Sequence, residues 1–191
     1  GKKKVALELG GNASVIVDEG TDLAAIAKTV AIGANLYAGQ TCISTQRIFV
    51  VRSVFEQFRD LLVKEYTELK GGDPSDALVT VGPIIDKGHY DRIASWVDEA
   101  LKGGAEILAG GKPVDLARNI YAATLLTNTR HDMRVNCAEV FGPVAILEAV
   151  MDFGEAIAQV NNSAYGLQAG VFADSVANMK RAHDELEVGG I

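Results

Sequence analysis

The feature that most constrains this chain is the regular alternation of short apolar runs with segments of helical period. The runs at 47–51 and 144–147 are almost entirely apolar, whereas 89–102 places apolar side chains at helical spacing. Apolar strands that alternate with helices are typical of a parallel sheet covered on both sides. We therefore predict an α/β fold, with a mostly parallel, open twisted sheet and helices on both faces.

Individual elements follow from the same pattern. Apolar runs predict strands at 5–9, 14–17, 47–51, 105–108, 121–126, 144–147 and 167–172. Capping residues predict helices that begin after Thr21, Ser53, Asp152 and Ser175, and Gly39 is predicted to end the first of them in a left-handed conformation. No stretch separates two cores, so residues 1–191 are predicted to form a single domain.

Charge and cysteine content exclude several classes of function. The 191 residues include 18 Lys and Arg against 25 Asp and Glu, a net charge of −7, which argues against nucleic acid as a partner. No apolar run approaches the roughly 20 residues of a membrane span, and the first residues do not resemble a signal peptide. Two distant cysteines and three scattered histidines suggest neither a disulfide framework nor a metal site. We predict a cytoplasmic protein without a metal.

A cysteine in a small polar loop is the first candidate for chemistry. Familiar motifs for dinucleotide phosphates, P-loops, serine nucleophiles and zinc proteases are absent from the sequence. Cys42 lies in the segment 39–44, GQTCIS, between a predicted helix and a predicted strand. Functional groups concentrate on such loops, although a lone cysteine is more often a structural thiol.

Two acidic residues are further candidates. Glu8 interrupts the apolar run 5–9 immediately before Gly10 and Gly11. If that run is a strand, the carboxylate lies at its carboxyl end, where open parallel sheets bind ligands. The alternative is a strand with one solvated face. Glu139 opens the segment 139–143, EVFGP, which taken alone is a simple turn.

Together these segments resemble a known family. LELGGN at 7–12, GQTC at 39–42, EVFGPV at 139–144, and Asn161 followed by YGL at 165–167 occur in the order found in the catalytic domain of the aldehyde dehydrogenase superfamily. A further family-like turn, VGPI, lies at 81–84. The resemblance covers nearly the whole chain. It implies one catalytic domain of a longer enzyme, without the cofactor-binding domain and the C-terminal tail.

The resemblance also implies a mechanism. Cys42 would attack the aldehyde carbonyl as a thiolate, and the thiohemiacetal would become a thioester by loss of hydride. Glu8 would activate the water that hydrolyses the thioester, a role that favours a buried carboxylate. The backbone N–H of Cys42 would bind the oxyanion. The products are a carboxylic acid and reduced cofactor.

Cofactor contacts are implied for three more residues. Glu139 matches the family glutamate that binds the nicotinamide ribose, Phe141 matches the aromatic residue beside the nicotinamide, and Leu9 would line this site through its backbone. The implied cofactor is NAD or NADP, with NAD favoured. Asn161 would stabilise the cysteine loop. Cys137 and Ala138 stand where relatives usually have an acidic pair.

Alternatives remain within and outside this enzyme class. A CoA-acylating or phosphate-dependent relative would resolve the thioester differently, but such relatives generally lack a base at the position of Glu8. A non-catalytic domain of the same fold would not need Cys42. For the hydrolytic enzyme, we expect a small aldehyde as substrate and a homo-oligomer at full length. The isolated 191 residues are predicted to be inactive as a dehydrogenase.

Overall fold

A computed structural model describes residues 2–191 and contains a six-stranded sheet and a two-stranded pair. The strands are β1 (Ser14–Val17), β2 (Arg47–Val51), β3 (Glu106–Ala109), β4 (Pro113–Asp115), β5 (Ile120–Tyr121), β6 (Thr124–Thr127), β7 (Val144–Val150) and β8 (Ala169–Phe172). The large sheet has the order β3-β6-β7-β2-β1-β8, and β4 pairs with β5. In the large sheet β3 is antiparallel to β6 and every other pairing is parallel. The predicted mostly parallel sheet is confirmed.

Helices cover both faces of this sheet, also as predicted. They are α1 (Leu23–Asn35), α2 (Phe55–Glu68), α3 (Lys87–Lys102), α4 (Arg134–Cys137), α5 (Phe153–Asn161) and α6 (Val176–Glu185). Because side chains alternate along a strand, Val15 and Ile48 pack with α1 and α2, whereas Ile16 and Phe49 pack with α5 and α6. α3 packs with Ile146 on the second of these faces.

Helix starts were only partly predicted. Asp152 and Ser175 cap α5 and α6 as expected, through their side-chain oxygens. Thr21 does not cap α1, because the next residue, Asp22, accepts from the N–H of Ala25. The expected cap at Ser53 is also wrong, since its hydroxyl donates to Glu19 Oε2 and α2 begins without a side-chain cap.

The predicted strand at 5–9 is not formed. Val5, Leu7 and Leu9 are 75%, 70% and 57% exposed, and no strand in the described part of the chain pairs with them. An unpaired segment neither satisfies its backbone in a ladder nor buries an apolar face, so the apolar pattern alone does not make it a strand. Glu8 therefore precedes the first strand and does not follow one.

The predicted strand at 121–126 is divided in two. Tyr121 ends β5, which pairs with Pro113, whereas Thr124 begins β6, which pairs with Val144. The two strands have different partners and belong to different sheets, and residues 122–123 between them are in neither. The sequence pattern did not predict β4, the short partner of β5.

A left-handed turn connects α1 to the cysteine loop. Gly39 has φ of 69°, as predicted, but α1 itself ends at Asn35, and Tyr37 and Ala38 also have positive φ, at 54° and 57°. A Cβ added to Gly39 would lie 2.0 Å from the carbonyl oxygen of Gly142. The approach to the cysteine loop therefore packs directly on the backbone of the turn before β7.

Candidate active site

The four family-like segments lie at one edge of the sheet. Segment 7–12 precedes β1, segment 39–42 precedes β2, segment 139–144 leads into β7, and segment 165–167 precedes β8. These strands are neighbours in the order β7-β2-β1-β8 and are parallel, so their amino-terminal ends lie at the same edge. The expectation that Glu8 lies at the carboxyl end of a strand is wrong, because that expectation required the strand at 5–9.

Gly11 contacts two of the predicted site segments. A Cβ added there would lie 1.8 Å from the carbonyl oxygen of Cys42, so only glycine fits this approach. The N–H of Gly11 donates to Glu139 Oε1 at 2.8 Å. Glu8 lies three residues earlier in the same segment. The glycine pair thus joins the segments of Glu8, Cys42 and Glu139.

The backbone of the cysteine loop is fixed from both sides. Ser44 Oγ donates to the carbonyl of Ala34 at 3.1 Å, next to α1's end. On the other side, Gln40 donates through Nε2 to the carbonyl of Pro83 at 3.2 Å and accepts from the N–H of Ile85 at 2.9 Å. The VGPI turn therefore braces the loop that carries Cys42.

Cys42 itself is left without partners in the described chain. Its side chain is half-buried and free of disulfide bonding. Within residues 2–191, neither its Sγ nor its backbone N–H has a hydrogen-bond partner. The thiol and the N–H of Cys42 are therefore both available to a ligand, on a loop whose neighbouring residues are held by hydrogen bonds.

Glu139 is oriented through one of its oxygens. Oε1 accepts from Gly11, and the backbone N–H of Glu139 donates to the hydroxyl of Tyr165 at 3.3 Å. Oε2 has no hydrogen-bond partner among residues 2–191, and it lies 2.9 Å from a Cβ built on Gly10. The half-buried carboxylate therefore presents one unused acceptor beside the glycine pair. Through Tyr165, the fourth family-like segment joins this site.

The other predicted site residues, Phe141, Leu9 and Glu8, are more exposed. Phe141 is 37% exposed and has a left-handed φ of 50°, a strained conformation for a residue with a side chain. Leu9 is 57% exposed. Glu8 is exposed too, so the burial expected of a general base is not present in this chain.

Asn161 has a structural role, but at a different place from the one expected. Its Nδ2 donates to the carbonyl of Glu185 at 2.8 Å, and its Oδ1 accepts from the N–H of Glu187 at 2.9 Å. These contacts hold the segment that follows α6. The expectation that Asn161 stabilises the cysteine loop is therefore wrong for this structure.

Sequence reasoning missed Arg47, which is 2% exposed. Its guanidinium donates to the carbonyls of Asn12, Gln159, Val160 and Asn162, and burial lowers its pKa to about 10. Three of these carbonyls lie at the end of α5, where a cation is favoured. The sequence signal that could have indicated a buried, structurally important cation was an arginine at the start of the predicted buried strand 47–51. Arg47 fixes the segment after Gly11 against α5.

No group of three or more His, Cys, Asp or Glu side chains within residues 2–191 is arranged to bind a metal ion. No helix in that range combines the length and apolarity of a membrane span.

Comparison with known proteins identifies the family. The family model described as "Aldehyde dehydrogenase family" matches residues 1–191. The chain belongs to the aldehyde dehydrogenase family. Its curated relatives include 3-sulfolactaldehyde dehydrogenase from Priestia aryabhattai, 40% identical over 191 residues, and an NADP-dependent succinate-semialdehyde dehydrogenase from Mycobacterium avium, 35% identical over 189 residues. The matches cover 100% and 99% of this chain but only 39% and 40% of those relatives.

Solved aldehyde dehydrogenase structures share the fold. Succinate-semialdehyde dehydrogenase from Burkholderia pseudomallei superposes with a TM-score of 0.93 at 33% identity, covering 99% of this chain and 39% of that one. Betaine aldehyde dehydrogenase from Staphylococcus aureus, solved with NAD+, gives 0.90 at 33% identity and covers 96% and 37%. The match confirms the α/β fold predicted from the sequence.

Proposed function

We propose that this chain is the single catalytic domain of an NAD(P)-dependent aldehyde dehydrogenase of the hydrolytic type, working as part of a longer enzyme. Family membership supports aldehyde oxidation. The observation that carries the finer proposal is the contact of Gly11 with both Cys42 and Glu139, because it brings the proposed nucleophile and cofactor contact into one site. A small aldehyde is the proposed substrate.

Cys42 is the proposed nucleophile. Its sulfur forms a bond to the aldehyde carbon, and the carbonyl oxygen becomes an oxyanion beside the free N–H of Cys42. After loss of hydride the carbon is a thioester. Attack by water then breaks the carbon–sulfur bond, releases the carboxylic acid and returns the thiolate. A half-buried thiol that makes no hydrogen bond within residues 2–191 is available for these steps.

Glu8 is the proposed base for hydrolysis. It would take a proton from the attacking water, a role for a carboxylate near the thioester. Its segment contacts the cysteine loop at Gly11, which supports this assignment. The side chain is exposed in this chain, so the rest of a full-length enzyme must supply the burial that such a base favours.

The residues of the site fit a nicotinamide cofactor in part. Glu139 Oε2, unused by residues 2–191, suits the hydroxyl donors of a ribose. Phe141, two residues after Glu139, provides exposed apolar surface, and Leu9, two residues before Gly11, would line the site through its backbone. When bound, NAD(P) would accept the hydride. The proposed cofactor is NAD or NADP, with NAD slightly favoured. Glu139 and Phe141 would orient the ring without taking part in proton transfer.

The competing enzyme is a CoA-acylating or phosphate-dependent relative. It would use Cys42 in the same way but would not need Glu8 for deacylation. A non-catalytic domain is the third reading, and the free thiol on a fixed loop counts against it. Homo-oligomerisation and a cytoplasmic location are further proposals that come from the sequence.

The deciding experiment separates acylation from hydrolysis in a full-length aldehyde dehydrogenase that carries these residues, called the full-length enzyme below. We expect Glu8→Gln to retain a pre-steady-state burst of NADH while steady-state turnover falls. Glu19→Gln, which changes an exposed carboxylate at the other end of β1, is the control and should leave both unchanged. Equal loss of burst and turnover in Glu8→Gln would remove Glu8 from the base role. Cys42→Ala should abolish both phases, whereas Cys137→Ala should abolish neither.

The isolated 191 residues offer a complementary test. We expect no measurable aldehyde oxidation and negligible NADH binding, because Glu139 and Phe141 alone would have to bind a large, charged cofactor. Fluorescence titration with NADH measures this directly. Tight binding would show that the cofactor site is misassigned.

A further inference from the structure

Gln46 makes an unusual set of hydrogen bonds beside the proposed site. It is the residue immediately before β2, four residues after Cys42, and it is 5% exposed. Its Nε2 donates to the carbonyls of Val135 at 3.0 Å and Ala138 at 2.7 Å. Its Oε1 accepts from the N–H of Val140 at 2.9 Å. One carboxamide thus uses both donors and its acceptor on a single distant segment.

Two of the three residues that Gln46 binds, Ala138 and Val140, flank Glu139. The carbonyl of Ala138 precedes Glu139 and the N–H of Val140 follows it, so Gln46 binds the backbone on both sides of this carboxylate. Arg92 adds a bond from its Nη2 to the carbonyl of Val140 at 2.7 Å. The Glu139 carboxylate, which accepts from the N–H of Gly11, therefore extends from a backbone segment that Gln46 holds by hydrogen bonds.

The backbone of Gln46 is fixed in the sheet. Its N–H donates to the carbonyl of Ala13 at 3.0 Å, and its carbonyl accepts from the N–H of Ile146 at 2.8 Å. These bonds connect it to the segments that lead into β1 and run along β7. The side chain therefore projects from a rigid position, and a rigid support is what places a functional group precisely.

We propose that Gln46 is a positioning residue for the cofactor, acting through Glu139. The proposal rests on the function proposed above for Glu139. A glutamine matches these contacts because it combines two donors with an acceptor on one planar group. Methionine retains the length but supplies none of these bonds, and glutamate retains the shape but loses both donors. Without the three hydrogen bonds of the Gln46 side chain, the Glu139 carboxylate can shift relative to Cys42. A displacement of this kind slows a reaction that needs a near-attack geometry.

The test compares Gln46→Met with a matched control in the full-length enzyme. Gln57→Met changes an exposed glutamine of α2 and should behave as wild type. For Gln46→Met we expect the single-turnover rate of NADH formation to fall by about tenfold to a hundredfold, with a larger deuterium isotope effect on a C1-deuterated aldehyde. Hydrolysis of an activated ester, which uses Cys42 but no hydride transfer, should change little. Slower hydride transfer with nearly unchanged ester hydrolysis would distinguish a positioning role from a general loss of folded structure.

A double-mutant cycle links the effect to Glu139. If Gln46 acts through that carboxylate, Gln46→Met in a Glu139→Gln background should cost much less than in the wild type. Gln46→Glu provides a second variant if Gln46→Met does not fold, and its loss of both donors should give the same split.

The outcomes distinguish this inference from the proposed function. Slower hydride transfer in Glu139→Gln but wild-type behaviour in both Gln46 variants would overturn the inference alone. Unchanged hydride transfer in Glu139→Gln would overturn the role of Glu139 and the inference with it. Equal losses of ester hydrolysis and hydride transfer in a folded Gln46 variant would show a merely structural residue.

Discussion

The two edges of the same parallel sheet differ in which polar side chains are paired within residues 2–191. At the carboxyl edge, a cleft of about 700 Å³ is lined by Asp18, Glu19 and Asn178 among others, and its polar groups pair with one another. Asp18 Oδ2 accepts from Asn178 Nδ2 at 2.7 Å, and Glu19 Oε2 accepts from the hydroxyl of Ser53 at 2.7 Å. At the amino-terminal edge, Cys42 and Glu139 Oε2 remain unpaired within residues 2–191 while the backbone around them is fixed.

With the active site assigned as proposed above, cleft size does not locate it in this chain. Open parallel sheets commonly bind ligands beyond the carboxyl ends of their strands, so the large cleft is the first place to look. Its side chains cap turns and hold α6 against β1, however. Unused reactive groups on a supported backbone are the better indicator, and they lie at the opposite edge.

The largest loss of activity is expected from a substitution at Gly11, at the amino-terminal edge. We expect Gly11→Ala to lower kcat/KM of the full-length enzyme by about a hundredfold or more, because the new Cβ would lie 1.8 Å from the carbonyl of Cys42 and would displace the loop. Gly82→Ala is the control, since its Cβ would meet no heavy atom closer than 4.0 Å. Wild-type activity in Gly11→Ala would show that the approach of the two segments is unimportant.

Arg47 tests whether the same edge depends on a buried cation. Arg47→Met leaves four buried or half-buried carbonyls without their donor, so we expect the free energy of unfolding to fall by about 3 kcal/mol. Arg52→Met, at an exposed position just beyond β2, should change it by less than about 0.5 kcal/mol. Urea unfolding of each variant measures the difference. A small effect at Arg47 would mean that the amino-terminal edge is held by other contacts.

The carboxyl edge should affect stability and leave the chemistry intact. Asn178→Ala removes the donor to the buried Asp18 and should lower the free energy of unfolding by about 1 kcal/mol. The NADH burst of the full-length enzyme should remain at the wild-type amplitude. A lost burst would place part of the active site at this edge and would contradict the comparison.

Glu148, in the middle of β7, gives the smallest expected effect. Burial raises the pKa of this carboxyl despite its bonds from the N–H and hydroxyl of Thr129. The folded protein therefore binds this proton more tightly than the unfolded chain, so wild-type stability from this group declines as pH rises through the folded pKa. Glu148→Gln, whose Oε1 accepts the same bonds, should be more stable at neutral pH by up to about 1 kcal/mol.

The control for this pH effect is a matched substitution at an exposed carboxylate. The advantage of Glu148→Gln should shrink as the solution is acidified, when the wild-type carboxyl also becomes neutral. Glu106→Gln, on the exposed part of β3, should show no such advantage. Thermal unfolding across pH compares the two. An advantage for Glu148→Gln that grows on acidification would reverse the predicted sign.

Local pattern was enough to predict most of the fold, but not where strands lack partners. The apolar runs of β1, β2 and β7 and the caps Asp152 and Ser175 depend on short-range chemistry, and all were found. The run at 5–9 is also largely apolar but has no neighbouring strand, which a sequence window does not show. Pairing between distant segments also divided the strand predicted at 121–126.

The candidate site shows the same division between local and distant information. Cys42, Glu8 and Glu139 were proposed from motifs in the sequence, and the structure places their segments together. Gln46 was not singled out because its contacts lie 89 to 94 residues away in sequence, and no pattern in the residues next to it indicates them. The contacts of Asn161 were misassigned for the same reason.

In the proposed function, the amino-terminal edge makes Cys42 a reactive nucleophile. Cys42 and Cys137 are both half-buried, so exposure alone does not predict which thiol reacts first. Alkylation by iodoacetamide at neutral pH, followed by peptide mapping of the full-length enzyme, compares them within one molecule. We expect Cys42 to react faster than Cys137 and faster than a free model thiol, and an aldehyde substrate to protect it. Equal rates at the two cysteines, or no protection by aldehyde, would remove Cys42 from the role of nucleophile.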